Sequence, residues 1–228
     1  MGPAATLDFM TKLRSATPAT CDEDHVPLLV HCVPQIPARV PAILRGSDEP
    51  LAPLLAGARL LERAGARAIA MPCNTAHHWH RPLSDGIGVP LLHIAEAVRE
   101  SLAAQDRPIG RVALMATLGT RRARLYDGMI EAMGGVLLVP DQRTQAVIDR
   151  TILAVKTGAL ASARAAAAEA AALLRDKQGA DQLLLACTEL PLAFEGGADA
   201  EDCIDATLAL AQACVRLSLG LKLEGTMS

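Results

Sequence analysis

Two cysteines stand where a thiol could do acid–base work. Cys73 lies in Met71-Pro-Cys-Asn-Thr-Ala-His77 and Cys187 in Leu185-Ala-Cys-Thr-Glu-Leu-Pro191, each after a short apolar run and before polar residues, Asn74-Thr75 and Thr188-Glu189. A thiol just ahead of a helix meets unpaired backbone N–H groups and the positive end of the helix dipole, both of which favour thiolate. A lone cysteine is most often a buried small hydrophobe, and for either residue alone that reading would win. The matched contexts reverse the preference. Cys21, Cys32, Cys203 and Cys214 lack such flanks and keep the ordinary reading. No C-x-x-C pair or other zinc spacing is present, so the cysteines are expected to be free thiols in a reducing compartment.

Other polar residues cluster around the same positions. Glu189 follows Cys187 by two, where it either tunes the thiol or orients a donor, or simply caps the next turn. Thr117 and Thr120 flank a strand-to-helix turn at Gly119, where helix-start amides could take a carboxylate, although capping explains Thr120 almost as well. His77, His78 and His80 invite a metal reading because 77 and 80 share a helix face. With no third ligand nearby, a polar helix face is expected and no metal.

The elements that must position these groups alternate along the chain. The runs 26–33, 67–71, 89–94, 111–116, 136–139 and 181–186 are short, apolar and bounded by Gly, Pro or charge, as buried parallel strands are. Helical patterns separate them near 3–14, 49–64, 75–84, 95–104, 119–133, 142–155, 160–177 and 205–217, and the loop 34–49 is long enough to be functional. Such alternation predicts an α/β fold with helices on both faces of parallel sheets. A weak repeat organises it. Leu60-Leu61 leads through Gly65 and the run 67–71 to Cys73, while Leu173-Leu174 leads through Gly179 and the run 181–186 to Cys187, with Gly to Cys eight residues in both. Each unit is a helix, a Gly stop, a buried strand and a cysteine at the strand's carboxyl end, where open parallel sheets bind ligands. Two similar lobes sharing a cleft are expected, one formed by 1–104 with 206–228 and the other by 105–205.

Composition narrows the function classes. Lys plus Arg number 22 against 25 Asp plus Glu, so a net charge of −3 gives no field to hold a polyphosphate. Phe9, Trp79, Tyr126 and Phe194 are the only aromatics, too few for stacking single-stranded nucleic acid. No uncharged apolar stretch is long enough to span a membrane, and the amino end lacks the basic-then-apolar layout of a secretory signal. No nucleic-acid or membrane partner and a cytoplasmic location are expected.

Pro72-Cys-Asn-Thr-Ala-His77 together with Ala186-Cys-Thr-Glu-Leu-Pro-Leu192 resembles the aspartate racemases, the pyridoxal-phosphate-independent branch of the aspartate/glutamate/hydantoin racemase superfamily. The resemblance covers nearly the whole chain. It includes Met1-Gly-Pro-Ala-Ala-Thr6, Pro34-Gln-Ile-Pro-Ala-Arg39, Leu118-Gly-Thr-Arg-Arg-Ala-Arg-Leu-Tyr126 and Thr151-Ile-Leu-Ala-Val-Lys-Thr-Gly158. Glutamate racemases typically carry Thr-His-Tyr-Pro where this chain has Thr188-Glu-Leu-Pro191, which places it on the aspartate side. The resemblance implies a cofactor-independent racemase, acting on aspartate or glutamate as a homodimer. Cys73 and Cys187 would be the acid/base pair flanking the α-carbon, with Asn74, Thr75, Thr117, Thr120, Thr188 and Glu189 near the α-carboxylate or the thiols. Arg39 and Lys156 would contact substrate carboxylate; on their residue types alone both would be ordinary surface charges.

Two departures carry expectations of their own. The family commonly has Asp where this chain has Ala38, which argues against strict specificity for aspartate. Its members also have a buried strand before the glycine-rich turn that here begins at Met1, so either the natural reading frame starts upstream of Met1 or the first lobe's sheet is built without that strand. Within the superfamily a hydantoin racemase or a maleate isomerase would reuse this fold, as would a non-catalytic ligand-binding member. A malonate decarboxylase would need only one cysteine of the pair.

Overall fold

Alternating burial along two apolar runs builds the centre of the molecule. In the computed structural model, which describes residues 2–197 and 202–220, β1 (Arg111–Ala116) and β3 (Gln182–Ala186) pair in parallel from Val112↔Gln182 to Ala116↔Ala186. The short strands β2 (Val136–Leu138) and β4 (Cys203–Asp205) flank them, giving a parallel sheet of order β2-β1-β3-β4. Successive side chains of a strand point to opposite faces. Val112, Leu114, Ala116, Leu184 and Ala186 therefore join one core, and Ala113, Met115, Leu183 and Leu185 the other.

Helices cover both faces. The first core is closed by α1 (Pro3–Ala16), α5 (Ile94–Ala103) and α11 (Ala206–Ser218). The second is closed by α8 (Gln142–Lys156) and α9 (Leu160–Ala172). Ala163, Ala166, Ala167, Ala170 and Ala171 form the buried stripe of α9, small enough to let it lie close against α8. Side-chain caps fix three of the helix starts: Asp141 accepts from Thr144 N, Asp205 from Thr207 N and Leu208 N, and Thr117 from Thr120 N. Gly65 and Gly179 both have positive φ, 95° and 68°, as the repeated Gly stop requires.

The first lobe departs from expectation. Around a core of Ile43, Leu54, Met71, Trp79, Leu83 and Leu91 it holds α2 (Arg39–Arg45), α3 (Leu51–Arg63) and α4 (His80–Asp85). The runs 26–33, 67–71 and 89–94 do not form a ladder; the only pairing among them is a single parallel bridge, Ile69↔Leu91. Among the described residues the segment 26–33 is assigned to no strand. The loop 34–49 proves to contain α2, and the expected helix 119–133 is broken into α6 (Leu118–Arg122) and α7 (Met129–Ala132) by positive φ at Arg124 and Gly128. Met1 of the glycine-rich turn and the tail 221–228 of the expected lobe lie outside the described residues. Among those described, no helix is long and apolar enough to cross a membrane.

Candidate active site

The register of β1 and β3 sets the site. Ala116 pairs with Ala186, so Thr117 and Cys187, the next residues of each strand, emerge side by side at the carboxyl end of the sheet. Thr117 caps the short helix α6 and Cys187 precedes α10 (Leu190–Phe194). The other cysteine reaches the same end through a hydroxyl cluster. Thr75 Oγ1 lies 2.9 Å from both Thr117 Oγ1 and Thr120 Oγ1, which are 3.1 Å from each other, and all three threonines are buried. Cys73, two residues before Thr75 and at the start of the 3₁₀ turn Asn74–Trp79, is thereby tied to the sheet that carries Cys187.

Asn74 is buried, and its Oδ1 accepts a hydrogen bond from the buried hydroxyl of Tyr126. Burial holds the Tyr126 phenol far above its ordinary range, so it stays a neutral donor. Asn74 Nδ2 is left without a partner although it is buried. A buried unpaired donor on the residue next to Thr75 is the kind of group a carboxylate satisfies. Gly119 is also constrained here: a Cβ on it would come 2.8 Å from Thr75 Cγ2 and 3.1 Å from Val40 Cα, so only glycine lets α6 approach both the hydroxyl cluster and the start of α2.

The two thiols sit in different surroundings. Cys73 is partly exposed, whereas Cys187 is buried and donates to Glu189 Oε2 over 3.0 Å. Burial first, then the Glu189 carboxylate, pushes the Cys187 thiol well above its ordinary value. This corrects the expectation that both positions favour thiolate: a helix start cannot outweigh desolvation and an adjacent negative charge. Glu189 is itself buried, with Thr188 Oγ1 3.5 Å from its Oε2 and Lys156 Nζ 3.8 Å from its Oε1. Gly2, at the start of α1, comes so near that a Cβ on it would stand 3.3 Å from Glu189 Oε1.

Arg39 opens α2, whose next residue packs on Gly119. Its Nη1 donates to the carbonyls of Ile36 and Pro37 at 3.1 and 3.2 Å, and its buried Nε has no partner. The guanidinium is thus held by its own loop with a donor to spare, unlike an ordinary solvated arginine. Lys156 ends α8 and is half exposed beyond its contact with Glu189.

Three groups differ from expectation or were missed. His77 is not part of a polar surface: it is 4% exposed, and its Nε2 accepts from Ile94 N at 3.1 Å. Its Nδ1 must then carry the proton and donate to the Cys73 carbonyl at 2.9 Å, bracing the backbone of the Cys73 loop. Among the described residues no cluster of His, Cys, Asp or Glu has the arrangement to hold a metal. Tyr126 was not singled out from sequence, since nothing local links it to Asn74, 52 residues away. Cys21 and Cys32 are exposed rather than buried.

The family described as Asp/Glu/Hydantoin racemase matches residues 1–214. The chain is 29% identical over 161 residues to the broad specificity amino-acid racemase RacX of Bacillus subtilis, covering 68% of each protein. It is 33% identical over 156 residues to the glutamate racemase of Deinococcus radiodurans, of which it spans half. Among solved structures, the Picrophilus torridus aspartate racemase superposes with a TM-score of 0.80 at 28% identity, over 95% of this chain and 90% of that one. The aspartate racemase homologue from Pyrococcus horikoshii shares the fold, with a TM-score of 0.74 at 24% identity and 95% of both chains covered. On its motifs, its two-lobed fold and these matches, the chain belongs to the Asp/Glu/hydantoin racemase family.

Proposed function

We propose that the protein is an amino-acid racemase that works without a cofactor, on acidic amino acids of the aspartate and glutamate type, with Cys73 and Cys187 as opposed acid and base. The observation that carries this reading is the convergence of the two cysteine loops at one end of the sheet through Thr75, Thr117 and Thr120. Inversion removes the α-proton from one face of a carbon and returns a proton to the other, so two groups must flank it. In one direction the Cys73 thiolate takes the α-proton and the C–H electron pair moves into the substrate carboxylate. The Cys187 thiol then gives its proton to the opposite face. In the other direction the roles exchange: Cys187, left as thiolate by the first, takes the α-proton and the Cys73 thiol returns one to the opposite face, with Glu189 beside the Cys187 sulfur. Lys156 offsets the charge of Glu189 from 3.8 Å away.

The carbanion needs donors in place before it forms. Asn74 Nδ2 and the threonine hydroxyls supply them to the α-carboxylate, while Arg39, with its unpaired Nε, reads the side-chain carboxylate. Exposed Ala38 beside Arg39 offers no acidic partner to a substrate ammonium, and the likeness to a broad specificity racemase points the same way, toward a substrate range wider than aspartate.

A screen of L- and D-amino acids in D2O by proton NMR tests the reading. Loss of the α-proton signal together with appearance of the antipode is expected for aspartate or glutamate, unchanged after dialysis against EDTA or treatment with hydroxylamine. No exchange with any amino acid would refute the racemase reading, and loss of activity after either treatment would refute its cofactor independence.

Arg39→Ala is expected to lower kcat/KM for acidic substrates by about 2 kcal/mol or more, roughly 30-fold, chiefly through KM, since a charged hydrogen bond is lost. Neutral amino acids should suffer less. Equal losses for both classes would show that Arg39 does not read the side-chain carboxylate.

A further inference from the structure

The turn between α6 and α7 is strained, and it carries the one tyrosine of the chain. Arg124, at φ 53°, is the only residue other than glycine with a positive φ among the described residues, and Gly128 follows at 73°. A long side chain in that region is disfavoured, and such strain is kept where the surroundings enforce it. The turn sorts its residues by polarity. Arg124 Nε and Asp127 Oδ2 pair in solvent at 2.7 Å, while Tyr126 between them is 1% exposed and packs into the first core.

The buried phenol makes one hydrogen bond among the described residues, to Asn74 Oδ1. The Asp205 carboxylate, whose charge adds to burial in keeping the phenol neutral, is already engaged. Its Oδ1 accepts from Thr207 N at 2.8 Å and Leu208 N at 3.0 Å, and its Oδ2 pairs with Lys12 Nζ at 2.7 Å. Asn74 is thus the acceptor for the phenol proton. The two ends of a side-chain amide match in shape and differ in chemistry. Turned over, Asn74 would leave that proton without an acceptor in a buried site, and would put its oxygen where the unpaired Nδ2 now stands. The bond to Tyr126 therefore selects which end of the amide is offered. It also polarises the amide, which strengthens Nδ2 as a donor.

We propose that Tyr126 is a positioning residue for racemisation: by donating to Asn74 Oδ1 it holds the amide with Nδ2 free for the substrate α-carboxylate, and strengthens that donor as the carbanion forms. This role rests on the racemase reading above and on its use of Asn74. Negative charge builds on the α-carboxylate only as the α-proton leaves, so the contribution falls on kcat more than on KM. Both enantiomers pass through the same carbanion, so both directions depend on it equally.

A double-mutant cycle on the full chain tests it. Tyr126→Phe keeps the ring in the core and removes only the hydroxyl. It is expected to lower kcat from each enantiomer about tenfold, with KM within about threefold of the parent and a cooperative melt retained. Asn74→Ala should lower kcat about 100-fold. In that background Tyr126→Phe should cost no more than about twofold, because the group it acts through is gone. Asn74→Ser gives a second cycle with a polar side chain at the same position. Tyrosine labelled with carbon-13 at Cζ marks Tyr126 alone, since the chain has one tyrosine. Its signal is expected to move when the parent is saturated with aspartate or glutamate, whichever it inverts, and to stay still in Asn74→Ala. A tenfold loss in both backgrounds overturns the proposal in favour of a core residue. A raised KM with kcat kept, or a label in the parent indifferent to substrate, overturns it as well. A parent that inverts no amino acid refutes the racemase reading itself and this role with it, whereas an active parent with equal losses in both backgrounds refutes the role alone.

Discussion

Cys73→Ala and Cys187→Ala are each expected to abolish racemisation from both enantiomers, lowering kcat by at least about 1000-fold, within the range that positioned acid–base groups supply. Loss in both directions is the informative part. A residue that served only one enantiomer's binding would slow one direction and spare the other, whereas inversion uses both thiols in every turnover. The substitutions are small in volume, so thermal melts of the variants should stay close to that of the parent. Chiral chromatography of reactions started from each enantiomer measures the loss. Racemisation above about a tenth of the parent rate in either variant would remove that cysteine from the chemistry and favour a one-thiol reaction on the same fold.

The second large effect is on stability. Burial holds the His77 imidazole down to about 3 from its ordinary 6.5, helped by neighbouring His93 and His80 and opposed by its bond to the Cys73 carbonyl. His93 is also lowered, chiefly by burial, with Glu96 pulling it the other way. The unfolded chain therefore binds a proton on His77 below pH 6.5 that the native state refuses. The stability from this group is whole above pH 6.5 and falls as pH drops toward 3, by roughly 1.4 kcal/mol per unit. Between pH 6.5 and 5, above the range where most carboxylates titrate, the expected loss is about 2 kcal/mol. Urea unfolding across that window measures it. His77→Gln should be less stable at pH 7.5 but lose much of the slope, and a flat profile in the parent would show that His77 is solvated in the native state.

How much of this was legible in the sequence depends on how local each signal is. Cys73 and Cys187 stood out because the Gly-to-Cys spacing repeats, and Gly65 and Gly179 share the positive φ that makes the repeat work. The runs at 111–116 and 181–186 became central strands as their apolar character required. The run 26–33 looks the same by composition yet forms no strand, because pairing depends on a neighbour that no local pattern reports. The three-residue β4 is too short to carry a pattern, and the start of α2 was obscured by the prolines around Arg39. The contrast between the thiols was hidden for a different reason. Burial of Cys187, the largest influence on its thiol, comes from tertiary packing; Glu189, two residues on, was visible as a neighbour of the thiol, and helix-start electrostatics is the weaker influence. The bond from Tyr126 to Asn74 joins residues from different elements and has no sequence signature.

The central claim, that each thiol serves one face of the α-carbon, is tested most directly by α-proton exchange in D2O with the two alanine variants. With one thiol left, inversion stops, but that base still removes and returns the proton on its own side. Cys73→Ala should exchange the α-proton of one enantiomer with retention, and Cys187→Ala that of the other, each leaving the opposite hand untouched. Exchange of the same enantiomer by both variants, or deuterated antipode accumulating with either one, would contradict the opposed two-thiol account.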